Sequence, residues 1–67
     1  MKKGWKEVYL AAFEYKATIA KDILENAGIS AVVLNQHDSA YLFGNFVVYV
    51  KDADENKALE LLKNLKN

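Results

Sequence analysis

Asn35, Gln36, His37, Asp38 and Ser39 place two amides, an imidazole, a carboxylate and a hydroxyl on consecutive residues, the densest group of chemically capable side chains in the chain. A hydrolytic triad built from His37, Asp38 and Ser39 fails on geometry, because successive side chains diverge whereas nucleophile, base and orienting acid must line up through space. As metal ligands, His37 and Asp38 supply two groups where structural zinc takes four and catalytic zinc three, so only a site shared between two copies would reach the number. Gly4, Gly28 and Gly44 stand too far apart to form either common phosphate-cradling loop. What remains is recognition. Tyr41 and Phe43 add rings to the polar group, and Gly44 permits a turn behind them. Asn35, Gln36, His37, Asp38, Ser39, Tyr41 and Phe43 are therefore the expected contacts for a small ligand or protein partner. The competing expectation is a solvated turn in which Asn35, Asp38 and Ser39 bond to their own backbone. Lys16 joins the candidates as a cation in an apolar helical sector, able to reach an anion or to extend its ammonium back to water. No catalytic residue, resident metal or cofactor is expected.

These groups need a scaffold, and hydropathy periodicity supplies one. Trp5 to Ala11 alternates as a half-buried strand does, with Val8 and Leu10 on one side and Trp5, Glu7 and Tyr9 on the other. Between Tyr15 and Ala27, the residues Ile19, Ala20, Ile23, Leu24 and Ala27 recur at helical spacing. Gly28 then predicts a left-handed stop, with Ile29 in the Schellman position to contact the helix again. No Ser, Thr, Asp or Asn stands directly before Tyr15 to cap its start. Ile29 to Leu34 is too short for another helix and reads as a second strand, and Phe46 to Val50 as a third. The intervening stretch from Asn35 to Gly44 is longer than the two to five residues usual in a hairpin. Asp52 and Glu55 resemble a capping box, opening a second helix with Ala58, Leu61, Leu62 and Leu65 on its apolar stripe.

The order strand, helix, strand, strand, helix fits an α+β fold, a ferredoxin-like half: βαββα, with a three-stranded antiparallel sheet in the order 1-3-2. A right-handed crossover places both helices on one face, and the first strand is left with a free edge. Two helices shield only one side of such a sheet, yet Phe46-Val-Val-Tyr-Val50 is apolar on both. Trp5, Tyr9, Val47 and Tyr49, joined by Val32 or Leu34, are expected to face away from the helices as a self-association face. Exposed apolar areas beyond a few hundred Å² usually mark interaction sites, and Tyr and Trp are enriched in interface cores. The alternative is that the second helix or the long loop folds over that face.

Bulk properties bound the function. At 67 residues the chain is expected to form one domain over residues 1–67, burying roughly 60% of its unfolded surface with a net stability of about 3 to 10 kcal/mol. There are no cysteines for disulfides, so a packed partner is the remaining reinforcement and a homo-oligomer, most simply a dimer, is expected. Nine Lys balance nine Asp plus Glu with no Arg, which disfavours nucleic acid even though Tyr9 and Tyr49 could stack bases on a sheet. The longest apolar run, Val8 to Phe13, is too short for a bilayer span or a signal-peptide core. Together with the missing cysteines this predicts a cytoplasmic protein with no membrane role.

Trp5-Lys-Glu-Val-Tyr9, Ala17-Thr-Ile-Ala-Lys-Asp-Ile-Leu-Glu-Asn-Ala-Gly-Ile29, Asn35-Gln-His-Asp-Ser39, Phe43-Gly44 and Val48-Tyr-Val-Lys-Asp-Ala-Asp-Glu-Asn-Lys-Ala58 resemble the small bacterial family labelled putative signal-transducing protein. The resemblance covers nearly the whole chain, with its most specific part in the Leu24-to-Ile29 turn and the Asn35-to-Ser39 segment. It implies the βαββα fold and a distant similarity to the nitrogen-regulatory PII proteins, whose mobile loop between the second and third strands contacts targets. That loop is much shorter here, and the additional C-terminal strand of PII proteins has no counterpart, so nucleotide binding and trimerisation do not carry over. Lys51 stands where the family often has proline. The implied function is a non-enzymatic regulatory or protein-interaction module, with a small-molecule sensor binding near the long loop as the alternative.

Overall fold

A computed structural model describes residues 4–36 and 45–65, with the side chains of Gln36 and Asn45 outside the description. Its centre is β3 (Asn45–Lys51), which pairs antiparallel with β1 (Trp5–Ala11) on one side and β2 (Ala31–Gln36) on the other, giving the order β1-β3-β2. The most continuously apolar segment thus takes the position with a neighbour on each side. α1 (Glu14–Asn26) joins β1 to β2, and α2 (Glu55–Leu62) follows β3 through a 3-10 turn at Asp52–Asp54. This is the expected βαββα, ferredoxin-like half.

One core holds the layers together. Val48 and Val50 of β3 meet Tyr9 and Ala11 of β1, Ala31 of β2, Ala17, Ala20 and Leu24 of α1, and Ala58 and Leu62 of α2. The helices contribute mainly alanines, which let their backbones approach the sheet closely, while Leu24 and Leu62 fill the larger spaces. Burying each leucine contributes about 1.5–3 kcal/mol. Ile19 and Leu61 are exposed instead, so each helical stripe is narrower than its periodicity implies.

α1 ends as expected. Gly28 adopts φ +84°, its N–H donates to the Glu25 carbonyl at 3.0 Å, and the Ile29 N–H donates to the Leu24 carbonyl at 2.9 Å. This is the paired bonding of a Schellman motif, with Ile29 buried in the same core as Leu24. Because Ile29 is occupied in that stop, β2 begins at Ala31 and runs through Asn35 and Gln36, which pair with Phe46 and Asn45. Asn35 and Gln36, expected in the loop that ends at Gly44, are thus strand residues, and the rest of that expected loop lies outside the described residues. Phe13 occupies the N-cap of α1 with no side-chain cap. The expected Asp52–Glu55 capping box does not form, because Asp52 lies inside the 3-10 turn; its N–H instead donates to the Gly4 carbonyl at 2.8 Å, tying the start of α2 to the start of β1.

Candidate interaction surface

The β1–β3 register contains one irregularity with a large effect. Glu7 lies opposite Tyr49 and Tyr9 opposite Val48, so Val8 is an extra residue on β1, a β-bulge. Because strand side chains alternate, one inserted residue reverses the faces of those on either side relative to simple alternation. Tyr9 is thereby turned to the helix side, only 8% exposed among the core residues, which corrects the expectation that it faces away. Leu10 is turned the other way, opposite Val47, and is 43% exposed where burial against the helices was expected. The first strand's plain alternation gave no signal of the bulge. Burial pushes the Tyr9 phenol above the ordinary tyrosine range, and the nearby charge of Tyr15 adds to this.

Val47 and Tyr49 do point away from the helices. Val47 stands between Leu10 and Leu34, and Tyr49 between Glu7 and Val32. Both are nevertheless buried within the single chain, at 1% and 4% exposure, so the exposed apolar surface on this side is its rim: Leu10 toward β1 and Leu34, 37% exposed, on β2. Trp5 and Val32, both half-buried, join Leu34 and Tyr49 around a shallow, open apolar groove. Ligand sites for drug-sized molecules usually enclose most of the ligand, which this groove, open to solvent, does not. A groove this small and open suits one inserted side chain better than a metabolite.

Of the other expected residues, the described Lys16 and Asn35 do not line this groove. Lys16 is half-buried in the first turn of α1. Asn35 is exposed near the end of β2, opposite Phe46, and Gln36 is the last residue of that strand. His37, Asp38, Ser39, Tyr41 and Phe43 lie outside the described residues. Among the described residues no group of three His, Asp or Glu side chains is placed to hold a metal, and no helix is long and apolar enough to cross a membrane. An exposed aromatic pair, Phe13 and Tyr15, was not anticipated; their rings lie 5.9 Å apart at 31° beside the uncapped start of α1. Large apolar residues where a polar cap is usual were the available signal.

The fold and its apolar outer rim define a small α+β module. The chain belongs to the family described as putative prokaryotic signal transducing protein, whose model matches residues 5–66. No curated protein and no solved structure matches it.

Proposed function

We propose that the protein is a non-enzymatic, cytoplasmic regulatory module that acts through protein contacts and associates with itself through its sheet. The carrying observation is the apolar rim on the side of the sheet away from the helices, where exposed Leu10 and Leu34 stand on either side of Val47 and Leu34 joins Trp5, Val32 and Tyr49 in lining the groove. A hydrophobic surface around a side-chain-sized depression is the form of an interface anchor site. The family's description supports a role in signalling. In this reading the connection between β2 and β3 is a second contact element, used as PII regulators use theirs.

Sedimentation equilibrium between low micromolar and millimolar concentration tests self-association. The wild type is expected to form dimers, and Leu34→Lys, which places a charge on an already exposed position, is expected to shift it to monomer while leaving the circular dichroism spectrum unchanged. A wild-type monomer throughout that range overturns the self-association.

A small-ligand sensor is the second reading, favoured by the same groove. It predicts a rise in melting temperature with a compact apolar or aromatic compound, lost in Trp5→Ala. A thermal-shift screen of such compounds without a hit removes it.

A further inference from the structure

Resting on the self-association proposed above, we infer that two copies join edge to edge through β2, their Ala31–Asn35 segments pairing antiparallel about a two-fold axis at Val33 to merge two sheets into one. The two edges of this sheet are chemically unlike. β1 carries Lys6 and Glu7, both exposed, and is bent by the bulge at Val8. Charges and bulges are the devices by which natural edge strands resist pairing. β2 has neither: Ala31-Val-Val-Leu-Asn-Gln36 holds no charge and no proline, and its register against β3 is regular throughout. Apart from its ladder with β3, β2 makes no further backbone hydrogen bond to a described residue. Among the described residues nothing takes up the alternate N–H and C=O groups on its far side, which is the pattern another extended strand would bond to.

A second copy fits that edge on three grounds. An antiparallel pair about Val33 matches the whole Ala31–Asn35 stretch with itself, setting Val32 beside Leu34 of the other copy and Ala31 beside Asn35, so each half-exposed aliphatic gains an aliphatic neighbour. The chain carries no net charge and the edge none at all, so two copies meet without repulsion. Finally, Val47 and Tyr49 are already buried, so face-to-face stacking of two outer surfaces would lack a centre, whereas Val32 and Leu34 stand at the β2 margin where the edges would meet. Strand pairing of this length lies at the low end of specific interfaces, below about 1,200 Å² in total, which implies a concentration-dependent dimer rather than an obligate one.

The chain has no cysteine, so single-cysteine variants report on the geometry directly. Val33→Cys would bring two sulfurs together across the axis, since opposed residues in antiparallel strands lie about 4.5–5.5 Å apart at Cα, within disulfide reach. Under mild oxidation Val33→Cys is expected to form a covalent dimer at least about tenfold faster than Lys6→Cys on the β1 edge, whose charges and bulge oppose pairing. Hydrogen exchange on the unmodified protein gives a reading independent of any variant: the outward amides of β2 should gain protection as concentration rises, and those of β1 should not. If dimers form and respond to Leu34→Lys, yet Val33→Cys links no faster than Lys6→Cys and the β2 amides stay unprotected, the edge pairing is overturned while self-association stands. If the protein is monomeric at every concentration, both fall. β2 protection produced only by an added extended peptide from another protein would also overturn it, assigning the edge to a foreign strand.

Discussion

Tyr9 stands opposite Val48 and Glu7 opposite Tyr49, so two steps along β1 match a single step along β3. The surplus residue, Val8, is buried beside Tyr9, and the pair brings β1 into the core at its bend. An aromatic ring that simple alternation would leave on the outer face becomes part of the packing under α1 and α2.

Tyr9 makes stability sensitive to alkali. Its folded-state pKa is raised, first by burial and then by the Tyr15 charge, above the ordinary tyrosine value of 10.0. The fold therefore favours the neutral phenol; this contribution is fully present below pH 10 and declines as pH rises through the elevated folded value. Urea unfolding from pH 8 upward should show constant stability to about pH 10 and a fall beyond it. In Tyr9→Phe that fall should be shallower; an equal slope in both proteins would exclude Tyr9 as the source.

Gly28 holds the Schellman stop at φ +84°, and a Cβ there would meet nothing within 4 Å. The cost of Gly28→Ala is therefore one of backbone conformation alone, about 1–2 kcal/mol for an L-residue forced into left-handed geometry. For a domain of this size that corresponds to a melting temperature lower by roughly 4–16 °C. Calorimetry showing no change would mean that the turn is not held in this conformation.

The Schellman turn, the strand order and both helices were legible in the sequence because each leaves a local mark: Gly28 followed by Ile29, doubly apolar β3, and Ala58 spaced from Leu62. Leu10 and Tyr9 were placed on the wrong faces because a bulge at valine, unlike one at glycine, has no compositional signature; only the pairing partner reveals it. Ile19 and Leu61 match helical periodicity yet remain exposed, since a short three-stranded sheet is too narrow to cover the full stripe of either helix. Asp52 carries the residue type of a cap, but the 3-10 turn places it one turn early. Of the candidate face, Val47 and Tyr49 point away from the helices as alternation along β3 predicts, whereas their side-chain burial depends on three-dimensional packing that periodicity does not encode.

Leu24 and Ile19 lie on the same helix but should answer differently to truncation. Leu24 is fully buried and Ile19 is exposed. Leu24→Ala leaves a cavity and should cost about 2–5 kcal/mol, a large share of the total stability of so small a domain. Ile19→Ala should stay within about 0.5 kcal/mol, helped by alanine's helix propensity. Chemical denaturation of the two variants measures the contrast, and similar losses would show that α1 is rotated about its axis from the orientation described.

Tyr49 and Leu10 share the outer side of the sheet, and lysine at each position separates packing from association. Tyr49 is buried within one chain, so Tyr49→Lys forces an ammonium into an apolar site and should destabilise the monomer itself by about 2 kcal/mol or more. Leu10 is exposed on the β1 margin, so Leu10→Lys should leave the melting temperature within a few degrees. With β2 edges as the dimer contact, the Leu10 variant should also dimerise like the wild type, because Leu10 lies across the sheet from Leu34 with β3 between them. Melting curves paired with sedimentation at one concentration read both effects. A Leu10→Lys protein that melts normally but no longer dimerises would move the contact from the β2 edge to the outer rim beside β1.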